Sequence, residues 1–265
     1  FLAIGITVIA LGHLYPLAKR HYRMAKVNQQ RVNLTTTASA VDASNFSEAK
    51  KNGAYLCYGQ SNASNFGQVR EHSFPGVFQV CEEAILPYSE PSCGTGGNGG
   101  NPWGKLGCQL IKTEIHASVT FANASVGGAS LLALTQPEYF DYFVLQYNRL
   151  KSLTGHVDAI LFFQGEGDYG KSEHYASTFA QMIRQLEIHQ IDAPFIVSQT
   201  SICGSHIPDD GLLEAQLNTA RVYPNVFLGP NTDSINFPGD RYDYCHFTSQ
   251  GLDRLSQVWL ETIVT

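Results

Sequence analysis

The chain has 265 residues, 43% of them hydrophobic and 15% charged, which is enough apolar matter for one well-buried core and excludes wholesale disorder. Its 17 Lys and Arg against 23 Asp and Glu give a formal net charge of −6. The basic residues are scattered beyond the N-terminus, so the charge pattern excludes a nucleic-acid footprint and leaves small esters or neutral sugars as acceptable partners.

Phe1 in place of an initiator Met is expected of a fragment or a processed product. Residues 1–11 are almost wholly apolar, and Lys19, Arg20, Arg23 and Lys26 come after them. A spanning helix needs about 20 apolar residues. Residues 1–26 therefore read as the tail of a membrane anchor, an uncleaved signal segment, or an ordinary buried helix. The basic cluster alone favours a cytoplasmic side for the residues C-terminal to it. Six cysteines, an even number with no CxxC pair, are compatible with disulfides in an oxidising compartment. Cys93 and Cys108 are the first pair to test, and six buried thiols are the alternative. The placement expected is exported or membrane-anchored, on the extracytoplasmic side. Residues 27–51, rich in Ser, Thr, Ala and Asn, read as a linker, and residues 52–265 as the folded domain.

Within the domain, short apolar runs alternate with amphipathic stretches. Residues 54–58, 118–124, 157–163, 195–199 and 226–228 read as strands. Residues 141–153, 175–189, 211–222 and 252–263 carry helical periodicity. This alternation predicts an α/β domain whose parallel sheet is covered on both faces, with the chemistry at the carboxyl ends of the strands.

Four motifs fall at such ends. The first strand runs into Gly59-Gln60-Ser61-Asn62, where a Ser at the opening of a helix suits a nucleophile. The G-x-S-x-G elbow is not met, because residue 63 is Ala, and a plain N-cap is the alternative. Near the other end, Arg241-Tyr242-Asp243-Tyr244-Cys245-His246-Phe247 places Asp and His three apart. A carboxylate there can orient an imidazole for proton transfer, or the two can form a surface ion pair. After the most apolar strand comes Phe163-Gln164-Gly165-Glu166-Gly167-Asp168. Glu166 and Asp168 read as a metal pair, an acid/base pair or loop supports, the last being favoured. Cys93-Gly94-Thr95-Gly96-Gly97-Asn98-Gly99-Gly100-Asn101-Pro102-Trp103 matches G-x-G-x-x-G by letter, without a preceding strand or a helix opening at once. Its exposed amides suit an oxyanion better than a dinucleotide, and simple flexibility is the alternative.

In this order the motifs resemble the SGNH hydrolases, nearest to the sialate O-acetylesterase and acetylxylan esterase-like branch, over most of the chain. The resemblance implies a three-layer α/β/α sandwich of flavodoxin-like type with a mainly parallel central sheet. It implies Ser61 as nucleophile and Asp243 and His246 as its partners. The oxyanion hole it implies is made of the N–H groups of Ser61 and Gly100, with Gly99 as the fallback, and the Gln164 amide. Asn62, Asn101, Trp103, Glu166 and Asp168 are expected to bind substrate or support loops, Trp103 by stacking on a sugar or by packing. Ser125-Val126-Gly127-Gly128-Ala129-Ser130 and Gly229-Pro230-Asn231-Thr232-Asp233 are further echoes of the family. The implied reaction is removal of a short acyl group, acetyl first, from a carbohydrate hydroxyl through an acyl-enzyme, with neither metal nor organic cofactor. A lipase, thioesterase or acyl transferase of the same fold is the alternative chemistry, and a silent carbohydrate-binding domain the alternative class. The sequons at Asn33, Asn45, Asn62 and Asn123 are read as chance matches.

Overall fold

A computed structural model of the chain describes residues 52–204 and 207–265. The expectations for residues 1–26 and 27–51, and the sequons at Asn33 and Asn45, lie outside the described residues.

Seven strands form one sheet: β1 (Gly53–Gly59), β2 (Val77–Cys81), β3 (Ala84–Pro87), β4 (Val119–Asn123), β5 (Ala159–Phe163), β6 (Phe195–Gln199) and β7 (Val226–Asn231). Their order across the sheet is β3-β2-β4-β1-β5-β6-β7. Every pairing is parallel except that of β3 with β2. Among the described residues there are six α-helices: α1 (Trp103–Lys112), α2 (Leu131–Leu134), α3 (Pro137–Thr154), α4 (Ser172–Ile188), α5 (Asp210–Val222) and α6 (Ser249–Val264).

The central strands β1, β4 and β5 are buried along their whole length. That is why β1 and β5 read as almost unbroken apolar runs, while β4 carries Thr120 and Asn123 among its apolar residues. Alternation along β1 divides the core in two. Leu56 and Tyr58 point into a cluster with Phe143 of α3, Phe179 and Met182 of α4 and Leu212 of α5. Tyr55 and Cys57 point into another with Trp103 and Leu106 of α1 and Leu255 and Trp259 of α6. The expected three-layer α/β/α sandwich is the observed architecture.

Four elements were not expected: strands β2 and β3, and helices α1 and α2. The β2–β3 hairpin has strands of 5 and 4 residues joined by Glu82-Glu83, with Glu82 at φ 54°. A left-handed Glu gives no turn signal of the kind Gly or Asn gives, so the hairpin was not legible. The glycine-rich loop consequently does lie between a strand, β3, and a helix, α1, that opens at once on Trp103. The cysteine pairing is also corrected. Cys93 is bonded to Cys81 and Cys203 to Cys245, while Cys57 and Cys108 are free thiols.

Candidate active site

Strand β1 ends at Gly59, where φ is +150° and a Cβ would meet the Phe163 carbonyl oxygen at 1.9 Å. Only glycine lets β1 pass so close to the end of β5. The chain then turns into a single 3-10 turn over Ser61–Ala63. Gln60 N–H donates to the Phe163 carbonyl at 3.1 Å and Ser64 N–H to the Ser61 carbonyl at 2.9 Å. From the sheet side, Trp103 Nε1 and Asn123 Nδ2 both donate to the Ala63 carbonyl, each at 2.8 Å. Ser61 is thus presented by a turn fixed at both ends, and only 5% of its surface is exposed. Among the described residues its N–H meets no hydrogen-bond acceptor.

The Asp243–His246 loop closes over this turn. His246 Nδ1 is 2.6 Å from Asp243 Oδ2. Asp243 Oδ1 accepts the backbone N–H of His246 at 2.7 Å and of Cys245 at 3.1 Å. Burial pushes the Asp243 carboxyl up, but the hydrogen bonds from the His246 side chain and backbone outweigh it and leave it below the usual carboxylate range. His246 Nε2 is buried and has no hydrogen-bond partner among the described residues. The imidazole is stacked near Phe66, centroids 5.4 Å apart, and near Tyr242 at 6.0 Å. Tyr242 OH donates to the Phe66 carbonyl at 3.0 Å, and Gln68 N–H to the Phe247 carbonyl at 2.9 Å. Chain segments nearly two hundred residues apart in sequence are therefore in contact at one edge of the sheet. A groove of about 290 Å³ runs beside them, with Phe66, Gln68, Asn98 and Tyr242 among its lining.

The oxyanion expectations are corrected in part. Gly100 N–H donates to the Gly67 carbonyl at 3.2 Å and Gly99 N–H to the Asn65 carbonyl at 2.8 Å. Both amides are spent on holding the glycine-rich loop against the residues after Ser61. Gln164 is fully buried, and its amide nitrogen donates to Asp168 Oδ2, which also accepts Leu131 N–H at 2.7 Å. The Gln164–Asp168 pair ties the β5 loop to α2.

Sequence reasoning passed over Gly127 as a donor. It sits in the loop after β4, where a Cβ would meet the Phe66 ring at 2.9 Å. Its N–H donates to no acceptor among the described residues. The signal was the Ser125–Ser130 echo, which carries a glycine pair at the carboxyl end of a strand beside β1.

The residues expected to bind substrate or support loops are all interior. Trp103 is fully buried, which removes it as a stacking platform and leaves it as a support for the Ser61 turn. Asn101 is 1% exposed and donates to Asn65 Oδ1 at 2.9 Å and Ser92 Oγ at 3.2 Å. Asn62 and Asn123 are buried with their amide nitrogens bonded inside, so neither sequon is open to a glycan. Glu166 is buried against Asn62. Burial pushes its carboxyl above the usual range, while the bond from Asn62 and the nearby Arg241 charge pull the other way.

A family model described as carbohydrate esterase, sialic acid-specific acetylesterase, matches residues 98–265. The chain belongs to this family. It is accordingly a carboxylic ester hydrolase of the carbohydrate acetylesterase group. The matched span of this acetylesterase-family domain contains Gln164, Asp243 and His246, and Ser61 stands ahead of it. The fold is shared with solved structures of low identity. A protein from Arabidopsis thaliana has a TM-score of 0.66 at 16% identity, over 81% of this chain and 98% of its own. A psychrotrophic esterase from a Pseudoalteromonas species has 0.52 at 12%, over 81% and 97%. A family 3 carbohydrate esterase from Clostridium thermocellum has 0.51 at 13%, over 81% and 96%. A search of curated proteins returned no match for this acetylesterase-family chain.

Proposed function

We propose that the domain is a serine O-acetylesterase acting on carbohydrate esters, with Ser61 as nucleophile, His246 as general base and Asp243 as its orienting partner. One observation carries the reading: Asp243 holds Nδ1 of His246 at 2.6 Å while Nε2 is buried and left without a partner among the described residues, in a loop that Asn62 of the Ser61 turn bonds at the Cys245 carbonyl. An imidazole held in that way keeps its Nε2 lone pair for the serine hydroxyl. Catalytic hydrogen bonds are commonly longer before substrate arrives and tighten in the complex.

The Ser61 oxygen bonds to the ester carbonyl carbon as His246 Nε2 takes its proton. The N–H groups of Ser61 and Gly127 are the open donors for the resulting oxyanion, and losing one such donor typically costs about 3–4 kcal/mol of barrier. As the carbon–alkoxide bond breaks, His246 returns the proton to the leaving alcohol. Water then attacks the acyl-Ser61, losing a proton to His246, and as the acyl–Ser61 bond breaks His246 returns that proton to the serine oxygen, giving acetate and free serine. The leaving alcohol must lie on the His246 side, where the groove beside Phe66 and Tyr242 offers amide groups and ring faces to a sugar. The two disulfides support an exported, extracytoplasmic placement.

The test is hydrolysis of p-nitrophenyl acetate, butyrate and octanoate by the wild type and Ser61→Ala. Activity that is greatest on acetate and absent from the Ala variant is expected. Undiminished turnover in Ser61→Ala, or a preference for octanoate, overturns the reading.

A further inference from the structure

Asn62 is the residue directly after the nucleophile, and its side chain makes two bonds that reach beyond its own loop. Its Nδ2 donates to Glu166 Oε1 at 2.6 Å and to the Cys245 carbonyl at 3.3 Å. Cys245 directly precedes His246. One amide thus connects the neighbour of the nucleophile to the neighbour of the base. The same Cys245 carbonyl accepts Arg241 Nη1 at 2.6 Å.

The two ends of an asparagine amide have nearly the same shape, so packing alone does not decide which end carries the hydrogens. A carboxylate decides it, because it only accepts. Glu166 fixes the NH2 end toward itself, and the second hydrogen is then directed at the Cys245 carbonyl. Glu166 Oε2 is buried with no hydrogen-bond partner among the described residues. Burying a carboxyl with an oxygen idle is unfavourable. The Arg241 charge offsets part of that cost, and the bond between Glu166 and Asn62 fixes which way the amide faces.

We propose that Glu166 and Asn62 are a positioning pair for His246. Glu166 orients the Asn62 amide, and Asn62 holds the Cys245–His246 peptide at the spacing from Ser61 that proton transfer requires. Neither residue touches the reacting atoms. The inference rests on the serine esterase reading and adds to it a cause for the placement of the base.

A double-variant cycle in the full chain tests it, using Asn62→Ala, Glu166→Gln and the combination, with p-nitrophenyl acetate as substrate. Misplacement by about 1 Å costs on the order of a hundredfold in rate. Each single variant is expected to lower kcat between about tenfold and a hundredfold with KM within about twofold. Because Glu166 acts through Asn62, the double variant is expected to be no slower than Asn62→Ala alone. Losses that multiply, or a rise in KM with kcat unchanged, overturn the proposal. A second readout is independent of turnover: the NMR resonances of the His246 ring are expected to move in both single variants, and rings that do not respond overturn it. A wild type inert toward every ester would refute the esterase reading, and the ring resonances would still decide the positioning claim.

Discussion

Glu90 closes the glycine-rich loop from within. Its carboxyl accepts Glu71 N–H at 2.7 Å and Asn101 N–H at 3.0 Å, and only 7% of the residue is exposed. Burial pushes the carboxyl from 4.5 up to about 7, against the pull of those two amides. The folded-state value lies above the unfolded one, so the folded protein holds this proton more tightly. Stability is therefore fullest below about pH 4.5 and declines as pH rises to about 7, by about 3 kcal/mol. Asp243, held low, acts in the opposite sense but in the acid range beneath this window. The urea midpoint is expected to be lower at pH 8 than at pH 5, and this slope is expected to flatten in Glu90→Gln. A wild-type midpoint that rises between those values contradicts the assignment.

At the scale of elements, the loops that carry the site are fastened by covalent and polar ties that spacing does not reveal. The Cys203–Cys245 bond closes a span of 42 residues and anchors the Asp243–His246 loop beside β6, while Cys81–Cys93 closes 12. By loop-closure entropy these are worth at most about 4 and about 3 kcal/mol. Replacing both members of a pair by Ser is expected to lower the unfolding free energy in urea more for Cys203–Cys245 than for Cys81–Cys93. The reverse order contradicts the entropic account. Sequence spacing had favoured Cys93 with Cys108. The true partner of Cys93 was hidden because Cys81 ends a strand, β2, whose hairpin turn carries no glycine or asparagine. Strands β1 and β5 were legible for the opposite reason: they are buried on both faces and so are apolar at nearly every position. The helices read from periodicity were also found, with ends that moved by up to four residues. Helix α1 was missed because its first residues, Trp103 and Gly104, continue a glycine-rich motif that reads as loop.

At the scale of the whole molecule, a parallel sheet gathers the carboxyl ends of its strands at one edge, and that is what assembles this site. Ser61 comes after β1, Gly127 after β4 and Glu166 after β5. The loop carrying Asp243 and His246 is folded back over them from beyond β7. The Ser61 and Asp243–His246 motifs stand out in the sequence because each is a local pattern of reactive side chains, and the proposed roles rest on them. Of the two open amides proposed as oxyanion donors, that of Ser61 was expected and that of Gly127 was not, because whether a backbone N–H is open depends on what packs against it: Gly99 and Gly100 are occupied by Asn65 and Gly67, and Gly127 is not. Of the two readings of Trp103, sugar stacking and packing, the structure has the second: the ring lies beneath the Ser61 turn. The central claim is that this fold activates one serine through one histidine. The direct measurement is mass-spectrometric mapping of the chain after treatment with a p-nitrophenyl phosphonate, which forms a stable adduct only on an activated nucleophile. The expected result is one equivalent on Ser61 in the wild type and none in His246→Ala; an adduct on another residue, or one on Ser61 that forms equally fast without the imidazole, would contradict the account.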